Sequence, residues 1–250
     1  MATRKVQPVK TTGKAASSKG KKPLWKNIAR ITLKVILYFF LSTIGVTLIY
    51  RFVNPPVTWL MVQRWAFEGQ TLDKDWVDID EVPYYVPMAM IASEDQKFME
   101  HNGFDFKAIE KAMKYNDKKK GKKIKGGSTI SQQTAKNVFC WPQRSWIRKG
   151  FETYFTFLIE MLWPKERIME VYINVVELGP GVYGVEAASQ RFWNKSAANI
   201  TPHQASLLAA VLPRPLKYSA KNPGPYVARR AGKVERVLRT FPKNHLESGS

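Results

Sequence analysis

The sequence predicts a mainly α-helical protein in which one membrane-crossing helix precedes a helical domain. Three observations lead there. Residues 35–50 are sixteen consecutive positions without a charge, flanked by Lys34 and Arg51. From residue 87 onward, apolar side chains recur at helical spacing in one segment after another. No stretch alternates apolar and polar residues as a half-buried strand would, and nothing repeats at a fixed period.

The elements follow in order. Residues 1–34 contain ten Lys or Arg and no acid. Such a segment cannot bury enough apolar surface to fold, so residues 1–30 are expected to be a disordered basic tail. Residues 31–53, with the flanking cations reaching to the head groups, are long enough to span a bilayer. A cleaved signal peptide and a buried core helix are the rival readings. Against them, no small-residue cleavage site follows, and Asn54-Pro55-Pro56 ends the helix. The upstream cations predict a cytoplasmic amino end, with everything after Arg51 outside.

Residues 54–86 read as a connector rich in aromatics and acids. Helices are expected over 87–99, 106–115 and 129–139, the last with Ser128 or Gly127 near its amino end. Residues 118–125 hold six lysines in eight positions and are expected to form a mobile loop. A long amphipathic helix over 145–162 stops at Pro164, and another over 165–176 stops at the Gly179-Pro180-Gly181 turn. Segments 183–193, 202–212 and 227–241 complete the helical series. Residues 54–244 thus make one domain, and residues 245–250 read as an added tail.

Forty Lys and Arg against twenty Asp and Glu give a formal charge of +20. Without the ten cations of the tail, thirty still face twenty acids, leaving +10. An anionic partner is implied. Outside the membrane that partner is not nucleic acid; acidic lipid head groups or a pyrophosphate-linked substrate fit better. Cys140 is the only cysteine, so no intramolecular disulfide forms, which leaves the compartment open. His101, His203 and His245 lack the spacing of metal ligands. No nucleophile elbow, phosphate loop or dinucleotide fingerprint occurs.

Chemistry concentrates between Glu94 and Glu152. Glu94 and Asp95 sit at the end of an apolar helical stretch, so at least one should face a cleft wall, where desolvation suits a carboxylate to proton transfer. A helix-surface pair is the bland alternative. His101 is read as structural. Gly126-Gly127-Ser128-Thr129-Ile130-Ser131-Gln132-Gln133 sets glycines and hydroxyls directly before a helix, where backbone N–H groups bind phosphate oxygens; an ordinary capped helix fits as well. Lys136, Arg144 and Arg148 place three cations between the candidate acids, as a pyrophosphate clamp would. Glu152 lies four residues past Arg148 and could simply pair with it, and Glu160 invites the same surface reading.

Together these blocks resemble the peptidoglycan glycosyltransferase family. Its first motif, Glu-Asp-x-x-Phe-x-x-His-x-Gly, is matched by Glu94, Asp95, Phe98, His101 and Gly103. The second is matched from Gly126 to Gln133, with Ser131 in place of Thr, and the third by Arg148, Lys149 and Glu152. The fourth falls on Lys165, Ile168, Glu170, Tyr172 and Asn174, with Met169 and Ile173 as substitutes. In the fifth, Gln204 stands where the family carries Glu, which puts a structural carboxylate pair in doubt. The resemblance covers residues 60–240 with all blocks in order.

It implies a lysozyme-like helical domain with a smaller membrane-proximal jaw lobe, in the monofunctional form without a transpeptidase domain. It implies polymerisation of lipid II onto a lipid-linked glycan, with release of undecaprenyl pyrophosphate. Glu94 would be the base on the acceptor 4-hydroxyl. Lys136 and Arg144 would hold the donor pyrophosphate, and Glu152 would be the second essential carboxylate. Asp95, Phe98, Ser128, Thr129, Gln132, Gln133, Arg148 and Lys149 would contact substrate. A divalent cation, Mg or Mn, has room near the phosphates, with its ligands unknown. Membrane lipids and other cell-wall synthesis proteins are expected partners, at the bacterial inner membrane with the domain periplasmic. A lytic glycan-cleaving enzyme or a non-enzymatic basic scaffold are the alternatives.

Overall fold

A computed structural model describes residues 24–119 and 126–241. The basic tail up to residue 23, most of the lysine-rich segment and residues 245–250 lie outside the described residues. Helix α1 spans Leu24–Phe52. Within it, Asn27–Phe52 is long and apolar enough to cross a membrane; 26 residues at helical rise reach about 39 Å, against a hydrocarbon core of about 30 Å. The chain divides into two compact units at residues 43 and 44. Of the first, the described part is the amino-terminal stretch of α1, whose apolar side chains are exposed.

The second unit begins with the last turns of α1. Carbonyls in and just after these turns are taken up by side chains. Arg167 donates to Tyr50 O at 3.0 and 3.2 Å and to Val53 O at 3.0 Å, and Trp163 Nε1 donates to Thr47 O at 2.7 Å. Helix α2 (Trp59–Glu68), capped by Thr58 and ended by left-handed Gly69, occupies part of the segment expected to be a connector. With residues after 137 it lines an open apolar cavity of about 1080 Å³, walled by Val57, Trp59, Val62, Phe67, Phe139 and Trp141. The Tyr50 ring at the end of α1 packs against Phe139.

Strand β1 (Asp73–Lys74) is followed by α3 (Tyr85–Glu94), α4 (Phe106–Lys118), α5 (Ile130–Phe139), α6 (Trp146–Leu162) and α7 (Lys165–Val175). Then come β2 (Glu177–Gly179), β3 (Val182–Tyr183), α8 (Val185–Trp193), α9 (Pro202–Val211) and α10 (Pro225–Leu238). The sheet is ordered β1-β3-β2, with β3 parallel to β1 and antiparallel to β2. Its strands are too short for an alternating pattern to register, which is why the sequence does not announce them.

Two helix groups carry the core. Helices α5, α6 and α7 pack together, and α3, α9 and α10 form the other group. Helix α7 is buried almost all round, with Ile168, Met169, Val171, Tyr172, Ile173 and Val175 fully covered. Helices α3 and α9 each bury an unbroken run, Val86–Ala92 and Ala205–Val211, in which Ser206 is the one polar residue and donates to Pro202 O. Helices this apolar on every side belong inside a core. Glu94 closes α3, and the residue it meets across the gap, Gln133, belongs to α5.

Candidate active site

The site begins where α3 stops. Asp95 leaves helical geometry at φ −158° and ψ 76°, and the chain turns back through residues 96–103. That turn is clamped to the start of α5. The Asp95 carboxylate accepts the Ile130 N–H at 3.0 Å, and His101 Nε2 lies 3.0 Å from both of its oxygens. His101 Nδ1 accepts the Gly103 N–H at 3.1 Å, so the ring proton belongs on Nε2, facing Asp95. Thr129 caps α5 by accepting the Gln132 N–H and donates its own proton to Gly103 O at 2.7 Å.

With this frame set, Glu94 extends from the last turn of α3 into the gap between the helix groups. Gln133 Nε2 donates to its Oε2 at 3.1 Å, and Arg230 Nη2, on α10, donates to its Oε1 at 2.9 Å. The Tyr172 hydroxyl stands 3.4 Å from Gln133 Oε1. Burial, and then the charges of Glu94 and Asp95, hold that hydroxyl well above its usual range. It remains a donor that orients Gln133.

On the other side of Gln133 lies a cavity of about 420 Å³, lined by Arg64, Lys136, Arg144 and Arg148 and by the carboxylates Glu152 and Glu177. Four cations against two acids leave it positive. Glu152 is spent internally: Arg148 Nη1 donates to one oxygen at 2.9 Å and Lys149 Nζ to the other, with its side chain only 4% exposed. Arg64 Nε reaches Glu177 at 3.2 Å. Burial raises the Glu177 carboxyl, and Arg64 opposes that rise. Lys136 has no hydrogen-bond acceptor among the described residues. Burial lowers its pKa; Glu152 opposes this, while Arg148, Lys149 and Arg144 add to it. Arg148 Nε is buried without an acceptor. Unanswered cationic donors around a positive cavity are the arrangement a multiply charged anion completes.

A family model described as Transglycosylase matches residues 61–241. The chain belongs to that family. It is 55% identical over 225 residues to the "Biosynthetic peptidoglycan transglycosylase" of Bdellovibrio bacteriovorus, covering 88% of this chain and 89% of the relative. The protein of the same description from Caulobacter vibrioides is 51% identical over 223 residues, covering 88% and 96%. That of Bacteroides thetaiotaomicron is 49% identical over 223 residues, covering 87% and 89%.

In this transglycosylase the expected site residues divide into two sets. Ser128, Gln132, Gln133, Lys136, Arg144, Arg148 and Glu152 converge on the cationic cavity, with Lys149 reaching it through Glu152. Asp95, Phe98 and Thr129 do not face it. Phe98 is fully buried, with Lys165 Nζ 4.6 Å from its ring centre. Asp95 and Thr129 are buried with partners of their own. At the start of α5 the Ile130 N–H goes to Asp95 and the Gln132 N–H to Thr129, as at a capped helix end. Glu160 is no surface pair either: it takes the Ser131 hydroxyl and, at 2.8 Å, Lys165 Nζ, with its side chain 7% exposed.

Gln204, at the fifth-motif position, accepts the Thr201 N–H on its Oε1 at 2.8 Å in a capping box. Arg64, Glu177 and Arg230 are site residues that sequence reasoning missed. Each depends on contacts between distant segments and carries no local signal. Among the described residues no three His, Cys, Asp or Glu side chains cluster as a metal site needs. Glu152 and Glu177 already face cations. The chain's own residues therefore do not fit a protein-held divalent cation in this cavity.

Proposed function

We propose that this protein polymerises lipid II into glycan strands by inverting glycosyl transfer, and that Glu94 and the cationic cavity carry the reaction. The observation behind this reading is Gln133. It binds Glu94 at 3.1 Å and also lines the cavity that holds Lys136, Arg144 and Arg148. A proton acceptor and a positive leaving-group site are thus one side chain apart, as displacement at an anomeric carbon requires.

Glu94 takes the proton of the acceptor 4-hydroxyl as its oxygen bonds to the donor's anomeric carbon from the face opposite the leaving group. The bond to the pyrophosphate breaks, and its electron pair leaves on the phosphate oxygen. Lys136, Arg144 and Arg148 stabilise that charge, and a β-1,4 link results. Glu152 serves by holding Arg148 and Lys149 in place. A lytic enzyme would have no use for the unanswered cations. The long apolar helix anchors the chain as a single pass, which in this reading holds the domain at the outer face of the inner membrane, beside a lipid-linked substrate.

The test is labelled lipid II with separate measurement of donor binding and single-turnover rate. Glu94→Gln keeps shape and removes proton acceptance, so polymerisation should fall on the order of 10²–10⁴-fold with donor binding intact. Glu152→Gln and Lys136→Ala should both weaken donor binding. Polymerisation by Glu94→Gln at the parent rate would reject Glu94 as the base.

A further inference from the structure

The Glu94 carboxylate is held from two helices that come from different parts of the core. Gln133 of α5 takes Oε2 at 3.1 Å. On Oε1 the strong partner is Arg230 of α10, whose Nη2 lies 2.9 Å from Oε1, 2.9 Å from Ser93 Oγ and 3.3 Å from Ser93 O. The Ser93 hydroxyl, between Glu94 Oε1 at 3.2 Å and Ala209 O at 3.0 Å, has one proton for two acceptors. Arg230 is the only cation paired with Glu94 among the described residues. Lys233 and Arg236, further along α10, share a cavity of about 460 Å³ with Arg230 and Ser93 but make no bond to Glu94.

The two oxygens are therefore not equivalent. Oε1 is turned toward α10 and committed to a guanidinium. Oε2 is turned toward Gln133, which lines the cationic cavity where the donor's leaving group belongs. A carboxylate that must accept a proton from a hydroxyl in that gap needs one oxygen fixed away from it and the other presented to it.

We propose that Arg230 is a positioning residue for the transfer reaction, fixing Oε1 of Glu94 so that Oε2 is the atom that accepts the acceptor's proton. This rests on the reading of Glu94 as the base. The rival role for Arg230 is a staple between α10 and α3 with no part in the reaction.

A double-mutant cycle in the full-length protein separates the two. Arg230→Gln should lower the single-turnover rate on the order of 10–100-fold, the range that losing a hydrogen bond to a charged group supports. KM for lipid II should stay within about twofold, because the lost interaction is made to the base and not to the substrate. Arg230→Lys should recover part of the rate, and added guanidinium should raise the rate of Arg230→Ala but not of the parent. In a Glu94→Gln background, Arg230→Gln should cost nothing further, since the group it serves is gone. An equal loss in both backgrounds, a rise in KM at unchanged rate, or a parent rate in Arg230→Gln would overturn the proposal. Should Arg230→Gln unfold at assay temperature, Arg230→Lys runs the same cycle. Failure of the underlying reading is distinguishable, because Glu94→Gln alone would then keep the parent rate.

Discussion

Replacing Asp95 tests whether the acid next to Glu94 belongs to the frame or to the chemistry. Its side chain is 4% exposed and answers two buried donors, the Ile130 N–H and His101 Nε2–H, both at 3.0 Å. Asp95→Ala strands both donors and removes a negative charge from the start of α5. A charge-assisted bond is worth about 1.5–3 kcal/mol, and a charge at a helix start adds about 0.3–1 kcal/mol. Two such bonds and the helix-start charge together give an expected loss of about 3–7 kcal/mol. At about 2–4 °C per kcal/mol for a domain of this size, the melting temperature should fall by roughly 6–28 °C. Asp95→Asn should fall between. Its oxygen can still serve Ile130, but its amide then faces His101 Nε2–H, and the ring cannot change tautomer without giving up the Gly103 N–H on Nδ1. Thermal unfolding of detergent-solubilised protein, followed by circular dichroism, gives the answer. If Asp95→Ala melts with the parent yet makes no polymer, Asp95 acts on substrate and the frame argument is wrong.

Two further outcomes follow from the same geometry. Burial puts the folded pKa of Lys136 below the ordinary lysine value of about 10.5, so between that lowered value and 10.5 the unfolded chain binds more protons. Stability from this residue therefore rises with pH across that window. Urea denaturation from pH 7 to 10 should show the parent gaining on Lys136→Met, and parallel curves would refute it. Gly184 has φ +83°, and a Cβ there would sit 2.9 Å from Asn174 O and 3.1 Å from Asn174 Cα, both backbone atoms that cannot step aside. Gly184→Ala should cost about 2–4 kcal/mol, and an unchanged melting temperature would show that α7 and α8 shift to accommodate it.

Much of the helical frame is legible in the sequence because local chemistry marks it. Ser145 accepts the Arg148 N–H at the start of α6, and Pro164 stands between α6 and α7 where the expected break falls. Helix α2 escapes because three of its apolar residues, the aromatics Trp59, Trp65 and Phe67, stay largely exposed and only Met61 is fully buried, so no wide buried stripe shapes the pattern. The first motif marks Asp95 and Phe98 as firmly as Glu94, but a motif does not say which way a side chain turns. The break of α3 after Glu94 decides that, sending Asp95 back to α5 and Phe98 beneath Lys165. Arg229 and Arg230 are indistinguishable in sequence; the packing of α10 on α3 makes only Arg230 a partner of Glu94.

The two glutamates of the site differ in how fully their oxygens are spent, and this separates their roles. Glu152 gives one oxygen to Arg148 and the other to Lys149 while almost fully buried. To accept a proton from a sugar it would have to break an ion pair in a place where an unpaired cation is costly. Glu94 has one cation on Oε1 and a neutral amide on Oε2, and a carboxylate oxygen that accepts one amide bond keeps a second lone pair. Only Glu94 can take a proton without dismantling its surroundings. Conversely, Glu152 holds two cations in place beside the cavity, as stabilising a departing pyrophosphate requires. Exchanging the roles would set the base between two cations and leave the leaving group without its clamp.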